Sequence, residues 1–223
     1  MPDGQYSFYL HSDDRTDIAA MATISTISQP LRGEFIRTAA TAGAVVYQVD
    51  ARLPALIPVF FAGQLSADRL CAVMALVSGT WSSLTGLPDE PENGEAALPV
   101  SPETEYQRRR YTLTLQNGRS GERVESVLTE ASSRLRGDLL RNLIITGLAL
   151  HTTAPELPRL LASMPVPPTS VSELQALVQQ MAGTADVNRA AAAVPDTPAA
   201  SAAPVSGSDT REIKKNMRRA FGD

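Results

Sequence analysis

Leu31-Arg32-Gly33-Glu34-Phe35-Ile36-Arg37 comes back as Leu135-Arg136-Gly137-Asp138-Leu139-Leu140-Arg141, in the same order of apolar, basic, glycine, acidic, two large apolar and basic residues. Outward from this stretch, each copy is followed by a glycine (Gly43, Gly147), a Leu-Pro pair (Leu53-Pro54, Leu157-Pro158) and a Gly-Thr pair (Gly79-Thr80, Gly183-Thr184), all 104 positions apart. An ungapped correspondence of this length marks a tandem duplication. The repeats span 5–87 and 106–184 and are joined by an acidic linker, 88–105.

Each repeat opens with strict alternation. Tyr6, Phe8 and Leu10 point one way and Ser7, Tyr9 and His11 the other, and Tyr111-Thr112-Leu113-Thr114-Leu115-Gln116 repeats the pattern at an offset of 105. Strands are therefore expected over 6–11 and 111–116. Polar turns lead into first helices over about 14–27 and 121–132. Ser28 and Ser132 or Ser133 offer N-cap hydroxyls for the second helices, with Pro30 tolerated in the first turn.

The second helix carries the repeated motif. Leu135, Leu139, Leu140, Leu143, Ile144, Gly147 and Leu150 form one apolar face, matched by Leu31, Phe35, Ile36, Ala39, Ala40, Gly43 and Val46. A mid-helix glycine costs about 1 kcal/mol relative to alanine, so its recurrence points to a close backbone approach by another helix; two tolerated glycines are the alternative. Further helices are read over 53–62 and 67–78, and over 157–164 and 170–182. The fold class is mainly α, with one strand plus four helices per repeat. A single strand needs a partner, and the other copy supplies the nearest one. The linker is long enough for a two-stranded antiparallel ribbon within one chain, an intrachain pseudo-dimer.

With 223 residues, 43% of them hydrophobic, the chain has material for a sizeable core. Its one cysteine, Cys71, permits no disulfide framework and fits a reducing compartment. No signal segment is expected at the start, and the most apolar stretch, 53–65, falls short of the ~20 residues of a membrane span. A cytoplasmic protein is expected. The net charge of −4 divides unevenly: the linker holds six acids and no base, while the two repeats come to −1 and +3. That balance permits nucleic-acid binding without demanding it.

Catalysis has little support. His11 and His151 are the only histidines, and no glycine-rich phosphate loop, zinc-ligand spacing or Ser-His-acid set stands out. Cys71 reads as core and His151 as a capping or surface residue. No enzyme activity, cofactor or metal is expected.

Beyond Thr184 the composition shifts to Ala, Pro, Ser and Gly, and 185–208 reads as a disordered tether. Asp209 and Glu212 then form a capping box of Asp type, followed by Ile213, Met217 and Phe221 at i, i+4, i+8. Lys214, Lys215, Arg218 and Arg219 lie among them. Such a short amphipathic helix, 209–223, is marginal alone and suits a partner's groove; a basic end that contacts DNA is the alternative.

A strand, a polar turn, a helix and a second helix, with two copies sharing one ribbon, is similar to the ribbon-helix-helix DNA-binding fold. More narrowly, Tyr6-Ser7-Phe8-Tyr9-Leu10, the run from Leu31 through Gly43-Ala44, and Asp50-Ala51-Arg52-Leu53-Pro54-Ala55-Leu56 resemble plasmid partition adaptors of the ParR/StbB type. The resemblance implies binding to double-stranded DNA with centromere-like direct repeats, attachment to an actin-like ATPase filament of the ParM/StbA type, and higher-order self-assembly on DNA. It implies no membrane partner. The family usually carries one repeat per chain and dimerises, whereas here two are fused.

A two-stranded ribbon enters the major groove with its outward residues on base edges. This places readout on Ser7, Tyr9, Thr112, Thr114 and Gln116, with Gln5, His11 and Arg110 at the ends; a merely solvated ribbon face is the alternative. Phosphate contacts are expected from Arg32 and Gly33, and from Arg136 and Gly137, in the first turns of the second helices. The competing role for Arg32 and Arg136 is pairing with Glu34 or Asp138. Arg108, Arg109 and Arg110 read as a phosphate clamp ahead of the second strand, or as charged residues leading into it. The resemblance places filament binding on Ile213, Met217, Phe221, Lys214, Lys215 and Arg218. Two other readings stay open: a ribbon-helix-helix transcriptional repressor or conjugation relaxosome accessory DNA-binding protein, and a protein-interaction scaffold without DNA affinity.

Overall fold

The computed structural model describes residues 4–80 and 108–192. The same element order occurs twice: β1 (Gln5–His11), α1 (Arg15–Ser25), α2 (Gln29–Val49), α3 (Leu53–Phe60) and α4 (Ala67–Ser78), then β2 (Arg108–Thr114), α5 (Arg119–Glu130), α6 (Arg136–Thr153), α7 (Leu157–Ser163) and α8 (Val171–Ala192). The fold is mainly helical, with one two-stranded antiparallel sheet formed by β1 and β2 of the same chain.

β2 starts three residues earlier and ends two residues earlier than the alternation predicts. Three consecutive arginines show no alternation, but β1 extends to His11 and gives Arg108 a backbone partner there. Arg108, Arg109 and Arg110 are thus strand residues rather than a segment ahead of the strand. The hydroxyl caps also differ from expectation. Ser28 occupies the N-cap of α2 without a side-chain hydrogen bond, and α6 starts after Leu135, past both serines. In place of a hydroxyl cap, the Leu135 N–H donates to the Ser132 carbonyl in a tight turn.

α2 and α6 form the centre of the molecule. Residues 41–46 of α2 and 143–150 of α6 are buried on every side, and large aliphatic side chains such as Leu143, Ile144 and Leu148 each contribute about 1.5–3 kcal/mol when fully buried. The repeated glycines sit where these two helices cross. A Cβ on Gly43 would lie 2.6 Å from the Leu143 carbonyl carbon, and one on Gly147 would lie 2.6 Å from that of Ala39. Ala39 and Leu143 are themselves equivalent positions, so the crossing is two-fold in its contacts. The close approach inferred from the sequence is present.

One side of this junction carries an ion pair with no equivalent among the described residues on the other. Asp17 of α1 is fully buried. It accepts from Arg141 Nε of α6 at 2.6 Å and from the His11 backbone N–H at 2.9 Å. Arg141 also reaches Asp14 at 3.2 Å. Arg37, the counterpart of Arg141, pairs only loosely with exposed Glu34 in its own helix, at 3.7 Å.

α8 runs on to Ala192, so residues 185–192, expected as tether, are helical. Alanine has the highest helix propensity, and no proline occurs between Val171 and Pro195. The linker 88–105, the tether from 193 to 208 and the terminal segment 209–223 lie outside the described residues.

Candidate nucleic-acid interface

The ribbon has two chemically distinct faces. Phe8, Leu10, Leu113 and Leu115 are buried against the helices, and the Phe8 and Tyr111 rings stack at 5.3 Å and 15°. The opposite face consists of Gln5, Ser7, Tyr9 and His11 from β1 and Arg108, Arg110, Thr112 and Thr114 from β2. The register sets Gln5 opposite Thr114, Ser7 opposite Thr112, Tyr9 opposite Arg110 and His11 opposite Arg108. Ser7, Tyr9, Thr112 and Thr114 thus share the outward face that the period of two assigns to them.

The arginines are organised on the ribbon. Arg110 donates from Nε and Nη2 to Ser7 Oγ at 3.2 and 3.0 Å, across the strands. The Arg108 guanidinium lies 3.7 Å above the Tyr9 ring, a cation–π contact. Arg109 belongs to the inner-face parity and lies 5.2 Å from the Tyr111 ring centre. The three expected clamp residues therefore separate: Arg108 and Arg110 join the outward face, and Arg110 stands beside its centre rather than at an end. Gln116 is exposed past the end of β2, and its carbonyl packs where a Cβ on Gly121 would be. It borders a groove of about 270 Å³ together with Arg37, Ser120 and Arg159.

The starts of α2 and α6 flank the ribbon. A Cβ on Gly137 would be 3.6 Å from the Ser7 carbonyl oxygen, so α6 begins directly against β1. Arg32 and Arg136 have a role the sequence reading did not include. Arg32 donates to the Ile27 and Ser25 carbonyls at 2.8 and 3.3 Å, and Arg136 to the Ala131 carbonyl at 3.2 Å. Each braces the elbow between first and second helix by satisfying carbonyls at the end of the first. Neither Glu34 nor Asp138 is the partner found. Burial pushes the Tyr6 hydroxyl up, with Glu125 adding to the rise and Arg136 opposing it. Burial likewise raises Tyr111, opposed by Arg109 and Arg32. Each inward tyrosine thus feels the arginine that opens the other repeat's second helix.

Elsewhere, His151 Nδ1 lies 3.2 Å from the Pro155 carbonyl just past the end of α6, and its ring meets Phe35 edge-on at 4.9 Å. Cys71 is buried, which pushes its thiol up to about 11. Among the described residues no cluster of His, Cys, Asp and Glu could hold a metal ion, and no helix is long and apolar enough to cross a membrane. Ile213, Lys214, Lys215, Met217, Arg218 and Phe221 lie outside the described residues. The Asp17–Arg141 pair escaped the sequence reading, because nothing local connects residues 124 positions apart.

Comparison with known families finds one model, described as plasmid stability protein, that matches residues 4–74 and again 109–178. No match is found among curated proteins or solved structures. The model matches twice in tandem, and the two matched segments together cover more than half of the sequence. The chain belongs to the plasmid stability protein family.

Proposed function

We propose that this protein is a non-catalytic, cytoplasmic plasmid partition adaptor of the ParR/StbB type. It binds centromere-like direct repeats through a fused ribbon-helix-helix pseudo-dimer and engages an actin-like ParM-type filament through residues 209–223. Membership of a plasmid stability family supports the maintenance role. The observation that carries the DNA contact is the outward ribbon face, where Arg108 and Arg110 stand among Ser7, Thr112 and Thr114 with the apolar residues all on the other side. Two strands, about 4.8 Å apart, fit a major groove about 12 Å wide. The starts of α2 and α6 beside the ribbon offer backbone N–H groups to phosphates. The same fold with no filament contact would be a repressor or a conjugation relaxosome accessory protein.

Titration of the full chain with a duplex carrying direct repeats, over a series of salt concentrations, tests the first half. Each phosphate neutralised contributes about −0.9 to the slope of log K against log salt. Arg108→Ala and Arg110→Ala are expected to weaken binding, with Arg110→Ala also relaxing base preference. Absence of salt-dependent binding to any duplex would refute the DNA reading and favour the scaffold. Co-sedimentation with nucleotide-bound actin-like filaments tests the second half. Loss of pelleting on removal of 209–223, with DNA binding retained, is expected; retained pelleting would refute 209–223 as the filament contact, and a full chain that binds DNA without pelleting would leave the repressor reading in its place.

A further inference from the structure

Ser7 stands opposite Thr112, its own counterpart 105 positions later, so the axis relating the two repeats passes through this pair. Rotation about that axis exchanges Gln5 with Arg110 and Tyr9 with Thr114. In a ribbon of two identical strands the exchanged positions would carry identical residues. Here one half of the outward face presents Tyr9 opposite Arg110, then His11 opposite Arg108. The other half presents Gln5 opposite Thr114. Two guanidinium groups thus lie on one side of the axis, and an amide and a hydroxyl on the other. The support beneath stays two-fold at the Gly43 and Gly147 crossing. A symmetric platform carries a polar reading face.

We propose that the ribbon reads a non-palindromic duplex site in one fixed orientation, with a G·C step under Arg110 and A·T pairs under Gln5 and Thr114. This rests on the reading of the ribbon as the DNA contact. Arginine meets guanine O6 and N7 in a bidentate way, glutamine meets adenine N6 and N7, and the threonine methyl meets that of thymine. Arg110 donates two of its five N–H groups to Ser7, which steers the fork and leaves three for a base. A protein with such polarity sets successive copies on direct repeats all facing the same way, whereas a two-fold ribbon has no direction to transmit.

Sites selected by the full chain from a randomised duplex pool, followed by tethered cleavage, test the orientation. Asp13 and Asn117 are exposed and follow the two strands at opposite ends of the ribbon. Cys71 is buried, so Asp13→Cys and Asn117→Cys each accept an iron-chelate cleavage reagent selectively. The expected result is a consensus without dyad symmetry, cut on one flank by the first conjugate and on the opposite flank by the second. Arg110→Gln, which makes two exchanged positions alike, is expected to reduce the preference for one orientation by about tenfold or more. An inverted-repeat consensus, or equal cutting of both flanks by both conjugates, overturns the polarity and leaves the ribbon as a DNA contact. Failure to enrich any duplex overturns both.

Discussion

Gly147→Ala tests the crossing of α2 and α6. In an isolated helix the change is favourable by about 1 kcal/mol. At Gly147 the new methyl would fall 2.5 Å from Ala39 Cα and 2.6 Å from its carbonyl carbon, both backbone atoms of α2 that no rotamer change can move. Carbon atoms prefer separations of about 3.5–4.0 Å, so the helix axes must part by roughly 1 Å. They would part where α2 and α6 are buried on every side. Overpacking of a tight core costs about 1–3 kcal/mol, and backbone against backbone belongs at the upper end. The propensity gain offsets part of this and leaves a net loss of about 2 kcal/mol. For a chain of this size that is a fall in Tm of about 4–8 °C. Gly183→Ala is the matched control, because a Cβ there has nothing within 4 Å among the described residues. It keeps the propensity gain and is expected to raise Tm slightly. Thermal and urea unfolding followed by circular dichroism measure both. If Gly147→Ala is as stable as the parent, or if the two variants move together, the crossing does not depend on absence of a side chain and the reasoning fails.

Four further outcomes are expected. Asp17→Ala leaves Arg141 without its buried partner and the His11 N–H without its acceptor, for a loss of about 3–5 kcal/mol, while Arg37→Ala changes urea stability by about 0.5 kcal/mol or less. Burial also pushes the Asp17 carboxyl up, against the pull of its hydrogen bond to Arg141. The folded chain therefore holds this proton more readily than the unfolded one. The resulting stabilisation is complete below the ordinary carboxylate range and declines as pH rises through the raised value, a decline that a urea-midpoint series is expected to find missing in Asp17→Asn. Thr146 Oγ1 is buried with no hydrogen-bond partner among the described residues, so Thr146→Val is expected to raise stability by about 1–3 kcal/mol in the same assay. Cys71, buried and with its thiol pushed up to about 11, is expected to resist a thiol reagent in the native protein and to react once the chain is unfolded.

Much of the helical framework was legible because its signals are local. Tyr6, Phe8 and Leu10 declare a period of two, and the glycines at 43 and 147 point to a close approach because their cost in mid-helix recurs at the same place in both copies. α4 has the bounds expected for it, and the structure shows Ser66 capping it and Gly79 ending it in a left-handed conformation. What failed was non-local or ambiguous. The start of β2 depends on how far β1 runs, which three arginines in a row cannot reveal. Residues 185–192 are poor in large apolar groups, a composition shared by disordered tethers and alanine-rich helices. Arg32 and Arg136 were placed in the correct first turns, yet the carbonyls they satisfy belong to the preceding helix and became visible only with the elbow formed. The outward face was assigned by parity alone, whereas the position of Arg110 beside its centre required the register.

Fusion of the two repeats changes what each half is free to become. In a dimer of identical chains every substitution occurs on both sides of the axis, so an ion pair such as Asp17–Arg141 would be present twice or not at all. In the fused chain the counterpart of Asp17, three residues past the N-cap of its helix, is the buried Gly121, and Arg37 turns to Glu34 on its own helix. Position 146 carries threonine where its counterpart is Ala42. Backbone contact leaves no such freedom at the crossing: Gly43 meets the backbone of Leu143 and Gly147 that of Ala39, so a side chain on either glycine disrupts the same junction. The two-fold relation therefore persists where backbones touch. It lapses at the buried ion pair and again on the ribbon surface, where Gln5 and Arg110 occupy exchanged positions. Pairing within one chain also makes the partner strand available at a fixed effective concentration. The ribbon then forms without a dimerisation step, and the two ends of its outward face need not be alike.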